Sequence, residues 1–125
     1  MKTINFIVTL LLVAAFTACG SGASNKPECT VSIVSPSEEY ARAVLYDVDN
    51  RVLDSVVFSN NEAVMVRRDT AEMPYLGFLR FYNPADSLDF IELPMAVERG
   101  DVSIDLSHGI GLSGTPLNER VHGFL

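Results

Sequence analysis

Residues 101–106 read Asp-Val-Ser-Ile-Asp-Leu. On an extended chain Val102, Ile104 and Leu106 fall on one side, and Asp101, Ser103 and Asp105 on the other. A period of two marks a strand with one face buried and the other in water. A helix would scatter the same residues around its axis. Arg99-Gly100 supplies the turn before this strand, and Phe90 to Val97 forms another apolar run upstream. Pro94 interrupts that run; lacking an N–H, it fits an edge strand or a bulge.

The same pattern repeats toward the amino terminus. Tyr75 to Tyr82 is an aromatic-rich strand ended by Asn83-Pro84, and Ala63 to Arg67 follows the turn Ser59-Asn60-Asn61. Ala41 to Val48 and Arg51 to Phe58 flank Asp49-Asn50, two residues tolerant of positive φ, which predicts a tight hairpin. Val31 to Val34 halts at Ser35-Pro36. About seven short strands with a turn every ~8–12 residues predict an all-β fold, an antiparallel β-sandwich. It is expected to span residues 28–114.

After Gly114 the period changes. Thr115-Pro116 reads as an N-cap with proline at the first helical position. Leu117, Val121 and Phe124 then follow at helical spacing. Residues 115–125 are expected to be the start of a helix cut off in mid-stripe, and so loosely held, because a short helix is marginal by itself.

Residues 1–19 read MKTINFIVTLLLVAAFTAC. Lys2 precedes an apolar stretch from Phe6 to Ala18, shorter than the ~20 residues needed to cross a bilayer and suited to a signal-peptide core. Its end, Phe16-Thr17-Ala18-Cys19, resembles the lipobox of bacterial lipoproteins, with Phe where Leu is commoner. That resemblance implies cleavage before Cys19 and lipid on its new amino terminus. Residues 1–18 are then the signal peptide and 19–27 a flexible tether. Several acyl chains at ~0.8 kcal/mol per buried CH₂ hold a protein on a membrane without a spanning helix. No acidic residue directly follows Cys19. By the same resemblance, this implies the outer membrane of the cell envelope, and a tether without an acidic run that could act as a surface-export tag is expected to leave the protein facing the periplasm.

The 125-residue chain carries 9 Lys and Arg against 16 Asp and Glu, a net charge of −7. Setting residues 1–18 aside removes only Lys2, so the remainder stands at −8. Such an acidic chain with scattered arginines does not fit a nucleic acid, whose phosphates call for clustered cations. Cys19 and Cys29 are too few for a disulfide framework or a thiolate zinc site, and no Cys-x-x-Cys occurs.

Other patterns lack the parts their chemistry needs. Gly109-Ile-Gly111-Leu-Ser-Gly114 fits G-x-G-x-x-G, but the 11 residues after it leave no room for a crossover helix, a second parallel strand or a ribose-binding acid. It reads as a glycine-rich loop. Asp47-Val-Asp49-Asn50 opens like a calcium loop, yet Arg51 stands where the next oxygen ligand belongs; it reads as a hairpin turn. Ser113 lacks the spacing of a nucleophile elbow, and no acid is placed to orient His108 or His122. Cys29, with Cys19 lipidated, is a lone thiol. It is either a thiol for reaction or intermolecular pairing, or a small buried hydrophobe at a strand start.

The segment from Ile91 to Leu125 contains Pro94-Met-Ala-Val-Glu98-Arg-Gly100-Asp101, then the alternating strand, then Gly114-Thr115-Pro116-Leu117-Asn118. This resembles the end of the β-sandwich domain of unknown function that precedes the thioredoxin-fold domain in lipoprotein thiol–disulfide oxidoreductases of the AhpC/TSA type. Asp49-Asn50-Arg51 with Leu53-Asp54-Ser55 resembles an early strand pair of that domain, and the likeness spans roughly Glu28 to Leu125. The family's redox chemistry sits in a later Trp-Cys-x-x-Cys domain, and this chain has no such motif. The resemblance therefore implies no catalytic residue, cofactor or metal.

The expectation is a non-catalytic accessory or interaction module of a thiol–disulfide oxidoreductase system. Its partners would be the membrane, through Cys19, and a protein of thioredoxin fold; no nucleic acid and no small-molecule substrate is identified. The alternative is a truncated oxidoreductase whose catalytic domain is missing from this chain.

Overall fold

A computed structural model describes residues 27–125. Cys19, the signal segment and most of the tether lie outside the described residues.

Eight strands follow one another: β1 (Cys29–Val34), β2 (Arg42–Tyr46), β3 (Val52–Val57), β4 (Glu62–Arg67), β5 (Tyr75–Asn83), β6 (Asp86–Val97), β7 (Gly100–Asp105) and β8 (Gly111–Ser113). One helix, α1 (Pro116–His122), closes the described chain. The strands form two four-stranded sheets, in the orders β4-β1-β7-β8 and β3-β2-β5-β6. A single apolar core joins them. Val31, Ile33, Met65, Val102, Ile104 and Leu112 come from the first sheet, and Leu45, Leu79, Phe81, Leu93, Met95 and Val97 from the second. The fold is mostly β and β-sandwich-like.

The expected alternation in residues 101–106 places Val102, Ile104 and Leu106 in the core. The hairpin at Asp49-Asn50 is present: β2 and β3 pair antiparallel, with Asn50 at φ 65°. Asp47 organises the turn by accepting hydrogen bonds from the Asp49 and Arg51 N–H groups on one carboxylate oxygen.

Two expectations need correction. The sheets contain eight strands rather than about seven, because Gly111–Ser113, read as loop, pairs antiparallel with β7 and buries Leu112. Nor is the pairing wholly antiparallel: β1 and β7 run parallel, with Val31 beside Val102 and Ile33 beside Ile104. A parallel pair needs a long crossover, and here the intervening strands β2 to β6 supply it. No local turn signal records such a pairing.

Pro94 lies on β6, an edge strand of its sheet, opposite Phe78 of β5. Two residues on, the Asn118 side chain accepts a hydrogen bond from Ala96 N–H at 2.8 Å and donates one to Ala96 C=O at 2.8 Å. The backbone groups of Ala96 therefore point away from β5. Alternation along the strand turns the missing donor of Pro94 the same way, so no ladder bond is lost.

Helix α1 is tied down more firmly than its apolar stripe implied. Asn118 is fully buried and also donates to Thr115 Oγ1 at 2.9 Å. Glu98 Oε2 accepts the Leu117 N–H at 2.8 Å, and Glu119 Oε2 accepts the Gly114 N–H at 3.0 Å. Two carboxylates thus meet the positive end of the helix. The helix packs on both β6 and β8, the flanking strands of the two sheets.

Asn118→Ala leaves a buried donor and a buried acceptor of Ala96 without partners, so we expect a loss of about 2–4 kcal/mol in denaturant unfolding. Removal of residues 115–125 should cost at least as much. A loss below about 1 kcal/mol in both would show that the helix does not hold the edge.

Candidate functional site

Cys29 is fully buried at the start of β1, where it belongs to the core. Burial pushes its thiol up, so the thiolate needed for exchange is disfavoured. Of its two readings, the small buried hydrophobe matches this setting.

The glycine pattern serves the backbone. Gly109 and Gly114 adopt φ +113° and +104°. A Cβ on Gly114 would collide with the carbonyl of Asp101, whereas one on Gly109 would meet open space. Between them, Gly111–Ser113 is a strand and Leu112 a core residue. Ser113 is exposed opposite Ser103. His122 Nε2 lies 3.0 Å from the Ile110 carbonyl, and Ser107 rather than a histidine engages Asp105, donating at 2.6 Å. Ser113, His108 and His122 are not joined by any hydrogen bond among the described residues. Asp47 Oδ2 meets Arg51 Nε at 3.0 Å, which occupies the mouth of the calcium-like loop. Among the described residues, no three His, Cys, Asp or Glu side chains gather as a metal-binding group.

Three other constellations are assembled by the fold. The first is a polar cluster where β4 meets β3. Arg67 donates to the Leu53 carbonyl at 2.8 Å and to Asp69 Oδ2 at 2.9 Å, and Tyr75 donates to the same Asp69 oxygen at 2.7 Å. Burial works to raise the Asp69 carboxyl, but the Tyr75 hydroxyl and the Arg67 guanidinium outweigh it and hold it below the usual range. Burial and the bond to Asp69 push the Tyr75 phenol up to about 12.

The second lies on the outer face of the β3-β2-β5-β6 sheet. Arg80 sits 4.5 Å from the ring centroid of Tyr46 and 5.0 Å from that of Phe90. It binds Glu92 Oε1 through Nε at 3.0 Å and Nη2 at 2.7 Å, and Tyr82 Oη through Nη1 at 3.1 Å. The hydroxyls of Tyr46 and Tyr82 are 2.7 Å apart. Val44 projects toward this face, between Ser55 and Arg80 on the neighbouring strands, yet only 1% of it is exposed.

The third is apolar. Pro74, Leu76, Leu117, Val121 and Phe124 line a cavity of about 320 Å³ beside α1, with Arg120 as its one charged lining residue. Leu76 is 44% exposed and Phe124 89% exposed. Leu117, Val121 and Phe124 were legible as a stripe. The Arg80 cluster was not singled out, although Arg80 and Tyr82 alternate with the core residues Leu79 and Phe81. That period-two spacing was the available signal.

Two outcomes follow. Gly114→Ala should destabilise by more than about 2 kcal/mol and Gly109→Ala by about 1 kcal/mol or less, since only the first combines strain with a clash; equal effects in thermal unfolding would contradict this. For Tyr75, the unfolded phenol loses its proton near pH 10 while the folded one holds it to about 12. Its contribution is therefore complete below pH ~10 and lost as pH rises toward the folded value. Stability measured across that window should fall less steeply in Tyr75→Phe, and an unchanged slope would contradict the assignment.

No protein-family model matches this chain, and neither does any curated protein or solved structure in the comparisons made.

Proposed function

We propose that this chain is a lipid-anchored, non-catalytic interaction module of a cell-envelope thiol–disulfide oxidoreductase system, with a thioredoxin-fold protein as its partner. The observation that carries this reading is the apolar flank of Pro74, Leu76, Leu117, Val121 and Phe124. Apolar side chains gathered at the surface mark sites of association. Leu117, Val121 and Phe124 of this flank belong to the segment that resembles the end of the accessory domain, just before the thioredoxin-fold domain. The buried Cys29 adds support, since dithiol exchange needs an accessible thiolate and a second thiol close by.

The anchor in this proposal is Cys19, holding the domain on the outer membrane with the tether of residues 19–27 between them. Among the described residues no helix is long and apolar enough to cross a membrane.

Expression in a Gram-negative host tests the anchor: the expected mass is that of residues 19–125 plus acyl groups, with Cys19→Ser moving the protein to the soluble fraction. An unacylated mass would overturn it. Titration of the labelled domain with a Trp-Cys-x-x-Cys oxidoreductase tests the partner, with amide shifts expected at Leu76, Val121 and Phe124. Absence of those shifts, or insulin reduction by the chain alone that disappears in Cys29→Ser, would overturn the module.

A further inference from the structure

The four tyrosines occupy different hydrogen-bonding positions. Tyr40 donates to Asp89 Oδ1 at 2.7 Å and Tyr75 to Asp69 Oδ2 at 2.7 Å, so both phenols hold their protons against carboxylates. Tyr46 and Tyr82 share one short hydrogen bond, in which either can donate while both are neutral. The symmetry ends with Arg80, whose Nη1 donates to Tyr82 Oη. Once one proton leaves the pair, negative charge on Tyr82 receives two donors, the Tyr46 hydroxyl and the Arg80 guanidinium. Charge on Tyr46 would have only the Tyr82 hydroxyl and a cation set over its ring face.

We propose that Tyr82 is a covalent modification site, the phenol of this protein that reacts first with acyl-type electrophiles. All four tyrosines are partly exposed, so access does not explain the order. The charged and titratable groups around Tyr82 are Arg42 and Tyr46 on β2, Arg80 on β5 and Glu92 on β6. Glu92 offsets part of the positive charge by binding Arg80. Asp89, farther along β6, is engaged by Tyr40 and Asn83. Burial opposes ionisation of Tyr82, yet the Tyr46 and Arg80 hydrogen bonds outweigh it and hold the phenol below its ordinary value. The other three are shifted upward: Tyr40 by its bond to Asp89, Tyr46 by burial and its bond to Tyr82, and Tyr75 by burial and Asp69.

The step balances without an oxidant or reductant. The Tyr82 proton passes to solvent, and the phenolate oxygen attacks the acyl carbon of an N-acylimidazole. The new O–C bond replaces the C–N bond, whose electron pair leaves with the imidazole and takes a proton from water. The sheet supplies the ionised nucleophile through Arg80 and Tyr46.

The experiment is limited acetylation of the intact chain by N-acetylimidazole at mildly alkaline pH, read by peptide mass spectrometry. Tyr82 should be acetylated several-fold faster than Tyr40, Tyr46 or Tyr75. Its lead should disappear in Arg80→Met and shrink in Tyr46→Phe, with folding of each variant checked by circular dichroism. Should Arg80→Met fail to fold, Tyr46→Phe and the order in the unmodified sequence still decide. Equal labelling of the four, a different tyrosine reacting first, or a Tyr82 lead unchanged in a folded Arg80→Met would each overturn the proposal.

Discussion

A sandwich of two separate four-stranded sheets has two open sides, and at one of them the Asn118 amide closes the edge of β6. Its oxygen and nitrogen take up the N–H and C=O of Ala96 as a neighbouring strand would. This replaces a ladder contact by one side chain, held on a helix whose Leu117 N–H is met by Glu98 and whose entry at Gly114 is met by Glu119. Pro94 removes the outward donor two residues earlier, so β6 offers little backbone for another chain to pair with there. On the opposite side β3 and β4 approach each other, and Arg67 crosses between them to the Leu53 carbonyl. Core burial drives the sheets together, while these two polar closures define where the sheets end.

The closures differ in exposure and hence in what changes them. Asn118 is neutral and fully buried, and its bonds to backbone do not titrate in ordinary pH ranges. The Arg67–Asp69–Tyr75 cluster is ionic and partly open, with Asp69 held low and Tyr75 held high. Acid that protonates Asp69, or alkali that ionises Tyr75, acts on the β3–β4 side, whereas the Asn118–Ala96 bonds contain no titrating group. The fold thus has one edge closed by a neutral amide and one closed by a cluster responsive to both extremes.

Strands were legible because alternation is a local property: Val102, Ile104 and Leu106 declare their face without reference to anything distant. The β1–β7 parallel pairing was invisible for the complementary reason, since about seventy residues separate Val31 from Val102 and no turn links them. Strand β8 was hidden by its glycines, which advertise a loop although Leu112 between them is core. The helix shows a different failure. Its stripe of Leu117, Val121 and Phe124 drew the reading toward apolar packing, and Val121 does pack against the core. The residue that fixes the helix is polar Asn118, whose role depends on the free edge at Ala96. Likewise, Tyr46, Arg80 and Glu92 belong to three different strands, and only the register of the sheet makes them one cluster.

That register also explains why the outer face of the second sheet is ordered without being covered. Arg80 is held from both sides by aromatic rings and along its edge by Glu92, which confines a side chain that would otherwise sample many rotamers. Val44 remains excluded from water on this face although it lies outside the central core cluster. The flank beside α1 contrasts with this, because Phe124 stays largely in water and Leu76 is partly exposed, with no polar ladder over them. One outer surface is therefore satisfied by its own charges and rings, and the other is apolar and open. Association is favoured at the second, where water leaves apolar area without stripping charged groups of their partners. Reactivity belongs to the first, where a cation is fixed against a phenol oxygen.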